Sequence, residues 1–199
     1  MKPASLRWVA LTSLGLASGV GIALALQDPI DALVGMILLT PVLTLLAGGI
    51  LGAVQWIELR SRLHSARRWL LGTAVGLGVG LAVGIVALEV VGQLLLGHPL
   101  RLLQMAPADR ALSFLILGMI SGACLGLVQQ LLLRKEPCLP RNWFLLSAAG
   151  LGLGFPAGSL LADLLVENFA SAAGVLILVA VSGAVLGGFT ARPFARAAV

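Results

Sequence analysis

The sequence predicts an all-α integral membrane protein of six transmembrane helices, arranged as three pseudo-repeated two-helix hairpins with both termini cytoplasmic. Three observations predict it. Of 199 residues, 59% are apolar and 11% charged, at a mean hydropathy of +1.07, so outward helix faces must meet lipid instead of water. Apolar runs of about twenty residues, the length that crosses a bilayer core, recur along the whole chain. The basic residues are also segregated between alternate loops.

The first span is predicted over 8–26, entered through Lys2 and Arg7 and opening on Trp8. Ala23-Leu24-Ala25 after this apolar stretch also fits a cleaved signal peptide. The second span, 33–57, contains Pro41, and the fifth, 143–162, contains Pro156; each proline removes a backbone hydrogen bond and is expected to kink its helix. The third span, 69–91, follows a basic loop with Arg60, Arg62, His64, Arg67 and Arg68, a loop that also suits anionic lipid headgroups. The fourth runs over 111–133 and the sixth over 174–191.

Of the thirteen Lys and Arg, only Arg101 and Arg110 fall on the side opposite the termini. The positive-inside rule therefore puts both termini in the cytoplasm of a bacterial inner or photosynthetic membrane. The net charge of +5 is then a topology signal, and no nucleic-acid partner is expected. Cys124 lies in a span and Cys138 in a loop, at different depths, which argues against a disulfide between them.

An internal repeat is anchored by Trp8, Trp69 and Trp143, each followed by Gly at plus seven and plus eleven: Gly15 and Gly19, Gly76 and Gly80, Gly150 and Gly154. With 25 Gly in the chain, six such matches in one register arise by chance roughly a few times in a million. The even spans repeat as well, as Gly48-x-x-x-Gly52-x-x-Gln55, Gly122-x-x-x-Gly126-x-x-Gln129 and Gly183-x-x-x-Gly187-x-x-Thr190. The single transmembrane domain, 1–199, thus divides into repeats at about 1–62, 63–135 and 136–199, the second with a 13-residue insertion within 92–110. Because the first span is needed to complete repeat one, the repeat favours a retained helix over a cleaved signal. Same-direction repeats of two spans are related by an axis along the membrane normal.

Trp plus twenty is Asp28, Glu89 and Asp163. Twenty helical residues rise about 30 Å, so these acids are expected at the face opposite the tryptophans. They either ring the entry to a cation pathway or simply end their helices in water. Gln55 and Gln129, one turn inside the other face, suit interhelical hydrogen bonds or a polar pathway. Stripes such as Gly72, Gly76, Gly80 and Gly84 permit close helix approach, within the bundle or in a groove for a partner helix, lipid tail or pigment. The insertion, with His98, Arg101 and Gln104 among leucines, is too short and broken to span and is expected to lie in the outer interface, as a docking segment or a plain connector.

No catalytic triad, P-loop, dinucleotide fingerprint or metal-ligand spacing occurs, and neither enzymatic activity nor a cofactor is expected. The unit running from Gly48 through Gln55, Arg60 and Trp69 to Gly80, repeated from Gly122 to Gly154 with Gln130 in place of Trp56, resembles a pattern in uncharacterised multi-pass membrane proteins of cyanobacteria and related bacteria. That resemblance implies a membrane fold and carries no activity. The expected function is that of a non-enzymatic accessory or scaffold subunit of a larger membrane complex, with the lipid bilayer and other membrane-protein subunits as partners. The alternatives are a small transporter or channel using the carboxylates, and a pigment- or lipid-binding protein.

Overall fold

A computed structural model of the chain describes residues 3–34, 36–60, 66–96, 106–134, 140–166 and 171–196. It is all-helical, with no strand among the described residues: α1 (Pro3–Ala25), α2 (Gln27–Val34), α3 (Met36–Leu59), α4 (Ala66–Leu96), α5 (Pro107–Leu132), α6 (Trp143–Leu165) and α7 (Ala172–Arg196). Among the described residues, every helix except the short α2 is long and apolar enough to cross a membrane. Large apolar side chains such as Leu14, Val86, Leu94, Leu112 and Leu164 are exposed on them, as lipid-facing surfaces require.

Two boundaries differ from the sequence expectation. Asp28 does not end the first span: the chain breaks after Ala25, and Asp28 and Pro29 open the separate helix α2. Proline fits a first helical turn, where its missing N–H is not needed, and Asp there complements the helix dipole. The insertion within 92–110 is not one interfacial segment throughout, because residues up to Leu96 continue α4 and Pro107 starts α5. His98, Arg101 and Gln104 lie outside the described residues. Pro41 and Pro156 lie inside α3 and α6, which continue past them.

Contacts between the spanning helices form a closed circuit, α1 to α3, α4, α5, α6, α7 and back to α1, while α2 packs mainly on α3. Each step of that circuit is made by glycine. On α1, α4 and α6, Gly15 and Gly19 meet Leu51 and Ala47, Gly76 and Gly80 meet Leu125 and Ser121, and Gly150 and Gly154 meet Leu186 and Ser182. On α3, α5 and α7, Gly48 meets Ala74, Gly122 and Gly126 meet Ser147 and Phe144, and Gly183 and Gly187 meet Ser13 and Val9. Lipid tails give apolar helices no reason to leave them for one another, so backbone-close packing has to hold this ring.

Candidate functional site

Apolar side chains from all six spans pack into the space enclosed by the ring. Leu16, Leu77 and Leu151, each eight residues after its tryptophan, meet Leu51, Leu125 and Leu186, each three residues after the first Gly of its even-helix motif, in one buried cluster that draws on all six spans. Further along α4 to α7, Leu88, Phe114, Leu117, Phe155, Leu178 and Val179 extend that cluster, with Phe114 and Phe155 edge to face at 6.2 Å between centroids. Branched and aromatic side chains dominate here, and the same helices also bury the hydroxyls of Ser121 and Ser159, neither with a hydrogen-bond partner among the described residues.

At the other end the three indoles close it. Trp8 and Trp69 lie edge to face with centroids 6.3 Å apart, and Trp69 and Trp143 at 6.2 Å, within the range of favourable aromatic pairs. Helices α1, α4 and α6 do not pack on one another, so these rings can meet only inside the circuit. All three are at most 2% exposed, which makes them a lid across the axis and not an interfacial belt. Leu59, Leu133 and Ala191 pack around the lid. That contact puts the start of α1 and the final turns of α7 at the same end of the bundle.

A buried polar layer lies one turn inside the lid, where Thr12, Thr73 and Ser147 each follow their tryptophan by four residues. The Gln129 amide donates to Thr73 Oγ1 at 2.9 Å, and its Oε1 accepts from Trp143 Nε1 at 2.7 Å. The Gln55 amide donates to Thr12 Oγ1 at 3.3 Å, and Trp8 Nε1 donates to Thr190 Oγ1 at 2.8 Å. The matching bond from Trp69 to Gln55 is not made: both Trp69 Nε1 and Gln55 Oε1 are buried without a hydrogen-bond partner. Gln55 and Gln129 therefore act as interhelical brackets joining α3 to α1 and α5 to both α4 and α6.

The carboxylates are arranged differently. Asp28 and Glu89 are exposed, while Asp163 is half-buried and paired with the buried guanidinium of Arg110 across α5 and α6. Among the described residues, no three of His, Cys, Asp and Glu are close enough to hold a metal ion. The inward positions of α4 and α6 at that depth are Leu88 and Ala162, one residue before the acids, and one helical residue is a turn of about 100°. Arg110 and the hydroxyls four residues after each tryptophan were not singled out from sequence. The hydroxyls carried a signal, a Thr or Ser in the same register three times; Arg110 carried only its place opposite the cytoplasmic majority.

A second ion pair, Arg7 to Glu58 at 3.3 Å, ties α1 to α3 at the lid end. Gln130, which stands where the first unit has Trp56, donates to the Arg141 carbonyl at 2.9 Å and fastens the end of α5 to the entry of α6. No family model matches the chain, and no curated protein or solved structure is similar to it.

Proposed function

We propose that this chain is a non-enzymatic accessory or scaffold subunit of a larger membrane complex. In this reading three two-helix units surround a pseudo-three-fold axis along the membrane normal, and the tryptophan end with both termini faces the bacterial cytoplasm. The observation that carries the functional reading is the packing of the interior: the six-leucine cluster and the triple-indole lid occupy it, and most of the polar groups beneath the lid are spent on bonds between helices. Chemistry with other molecules then falls to the outer faces and the loops.

The packing counts against the two alternatives as the sequence framed them. A carboxylate pathway needs Asp28, Glu89 and Asp163 on one axis, yet two are exposed and the third is neutralised by Arg110. Pigment grooves along the glycine stripes would have to compete with neighbouring helices of the same chain, which already cover Gly76, Gly80, Gly122, Gly150 and Gly154.

The test is extraction in a mild detergent from the native membrane, capture on a tag, mass spectrometry and an absorption spectrum of the eluate. A stoichiometric membrane-protein partner supports the scaffold reading. A colourless, partner-free protein that carries cation flux in vesicles, and loses it in the triple variant Asp28→Asn, Glu89→Gln, Asp163→Asn, would replace it with transport.

A further inference from the structure

The circuit of helices is not equally tight all round, and its loosest place has a chemical character. Between α5 and α6 a run of three glycines, Gly118, Gly122 and Gly126, lies against the α6 backbone, and Met119 covers Gly152. The same register in α3 reads Thr44, Gly48 and Gly52. Gly48 still reaches the α4 backbone, with the Ala74 Cα 2.8 Å from where its Cβ would be. One turn further from the lid Thr44 stands where α5 has Gly118.

Beside it lies an outward groove of about 390 Å³ lined by residues that include Pro41, Thr44, Leu45, Gly78, Ala82 and Ile85. Leu45 and Thr44 face Gly78 across it, with side chains instead of backbone nearest to where its Cβ would be. The groove is almost wholly apolar at its walls and faces where the lipid lies. Along α4, Gly78, Ala82, Ile85 and Glu89 follow at helical spacing on one face, so the exposed Glu89 carboxylate follows one turn beyond Ile85, the last lining residue of that face. From Trp69 to Glu89 the helix rises about 30 Å, which puts that carboxylate at headgroup level.

We propose that the groove between α3 and α4 seats one acyl chain of a phospholipid whose headgroup carries a primary amine, with Glu89 taking the ammonium. Charge complementarity selects this occupant. A lipid with only an anionic headgroup would set its phosphate against the Glu89 carboxylate, whereas an ethanolamine headgroup places a cationic N–H donor there. The apolar walls supply the tail's contacts, and the glycine and alanine on α4 supply the depth.

The experiment is native mass spectrometry of the delipidated protein in detergent, titrated separately with phosphatidylethanolamine and phosphatidylglycerol. The ethanolamine lipid is expected to bind more tightly, and Glu89→Gln to weaken it about fivefold while leaving the glycerol lipid unchanged, the effect of one exposed ion pair. Ala82→Leu fills the groove and is expected to remove the preference, with an unchanged unfolding transition showing that the fold is intact. Equal binding of both lipids to the parent protein, or an unaltered preference in both variants, overturns the proposal. So does a photo-crosslinker in place of Val79, an exposed residue of the groove's wall, that captures protein instead of lipid in the native membrane.

Discussion

Gly48 and Gly49 are neighbours on α3 and differ only in what they face. A Cβ on Gly48 would lie 2.8 Å from the Ala74 Cα and 3.0 Å from the Thr73 carbonyl oxygen, both backbone, whereas a Cβ on Gly49 would meet nothing within 4 Å. To reach an ordinary carbon contact of about 3.4 Å, Gly48→Ala must push α3 and α4 apart by roughly 0.6 Å, with no flexible side chain to absorb the change. Overpacking of this kind costs about 1–3 kcal/mol, while both substitutions gain about 1 kcal/mol from leaving glycine in a helix interior. The propensity gain cancels in the difference, so Gly48→Ala is expected to be about 1–3 kcal/mol less stable than Gly49→Ala. The latter should equal or exceed the parent. The assay is reversible unfolding of the purified chain in mixed micelles, titrating dodecyl sulfate and following tryptophan fluorescence. Equal midpoints for the two variants would refute backbone-close packing of α3 on α4, and with it the glycine-held ring.

Three further outcomes follow from the buried groups. Gln129→Leu removes bonds to both Thr73 and Trp143, and is expected to destabilise by about 1–2 kcal/mol, whereas Gln55→Leu, which gives up one longer bond to Thr12, costs less; micelle unfolding ranks them. Arg110→Met and Asp163→Leu each strand half of an ion pair, so the double variant is expected to be more stable than their summed losses imply, a coupling that a double-mutant cycle measures. In a background without Cys124 and Cys138, Leu51→Cys on the axis should resist a water-soluble maleimide while Arg60→Cys at the lid end reacts; rapid labelling at both positions would mean that the interior is wet.

The spans were legible because a bilayer demands apolar length, and length survives any error in helical phase. Orientation around each helix was not equally accessible. The leucines eight residues after each tryptophan point inward, and on α4 and α6 the acids Glu89 and Asp163 lie twelve residues beyond them, a turn of about 1200°, or 120° past the inward direction, while Asp28 sits on a separate helix. Reading the acids as a ring took their common register and ignored that phase. The end of the first span, expected at 26, falls at Ala25; the short helix α2 that follows was not expected, because its signal was only the pair Asp28-Pro29. The sequence placed the tryptophans only at the face opposite the acids; that they turn inward depends on which face of α1, α4 and α6 the glycines bring against a neighbour, a property of the assembled ring and of no single helix.

The seam between α7 and α1 makes assembly wait on its last span. Gly183 and Gly187 come to rest on Ser13 and Val9, and Thr190 Oγ1 accepts a hydrogen bond from the Trp8 indole N–H, 182 residues away. During insertion, an arc running from α1 through α3 to α6 has two raw edges and an interior open to lipid. It also presents on α1 a surface shaped for a helix not yet made. Ring closure is therefore a long-range event reserved for the final helix, and in its absence the exposed edge of α1 is the face on which a membrane chaperone or a wrong partner would compete.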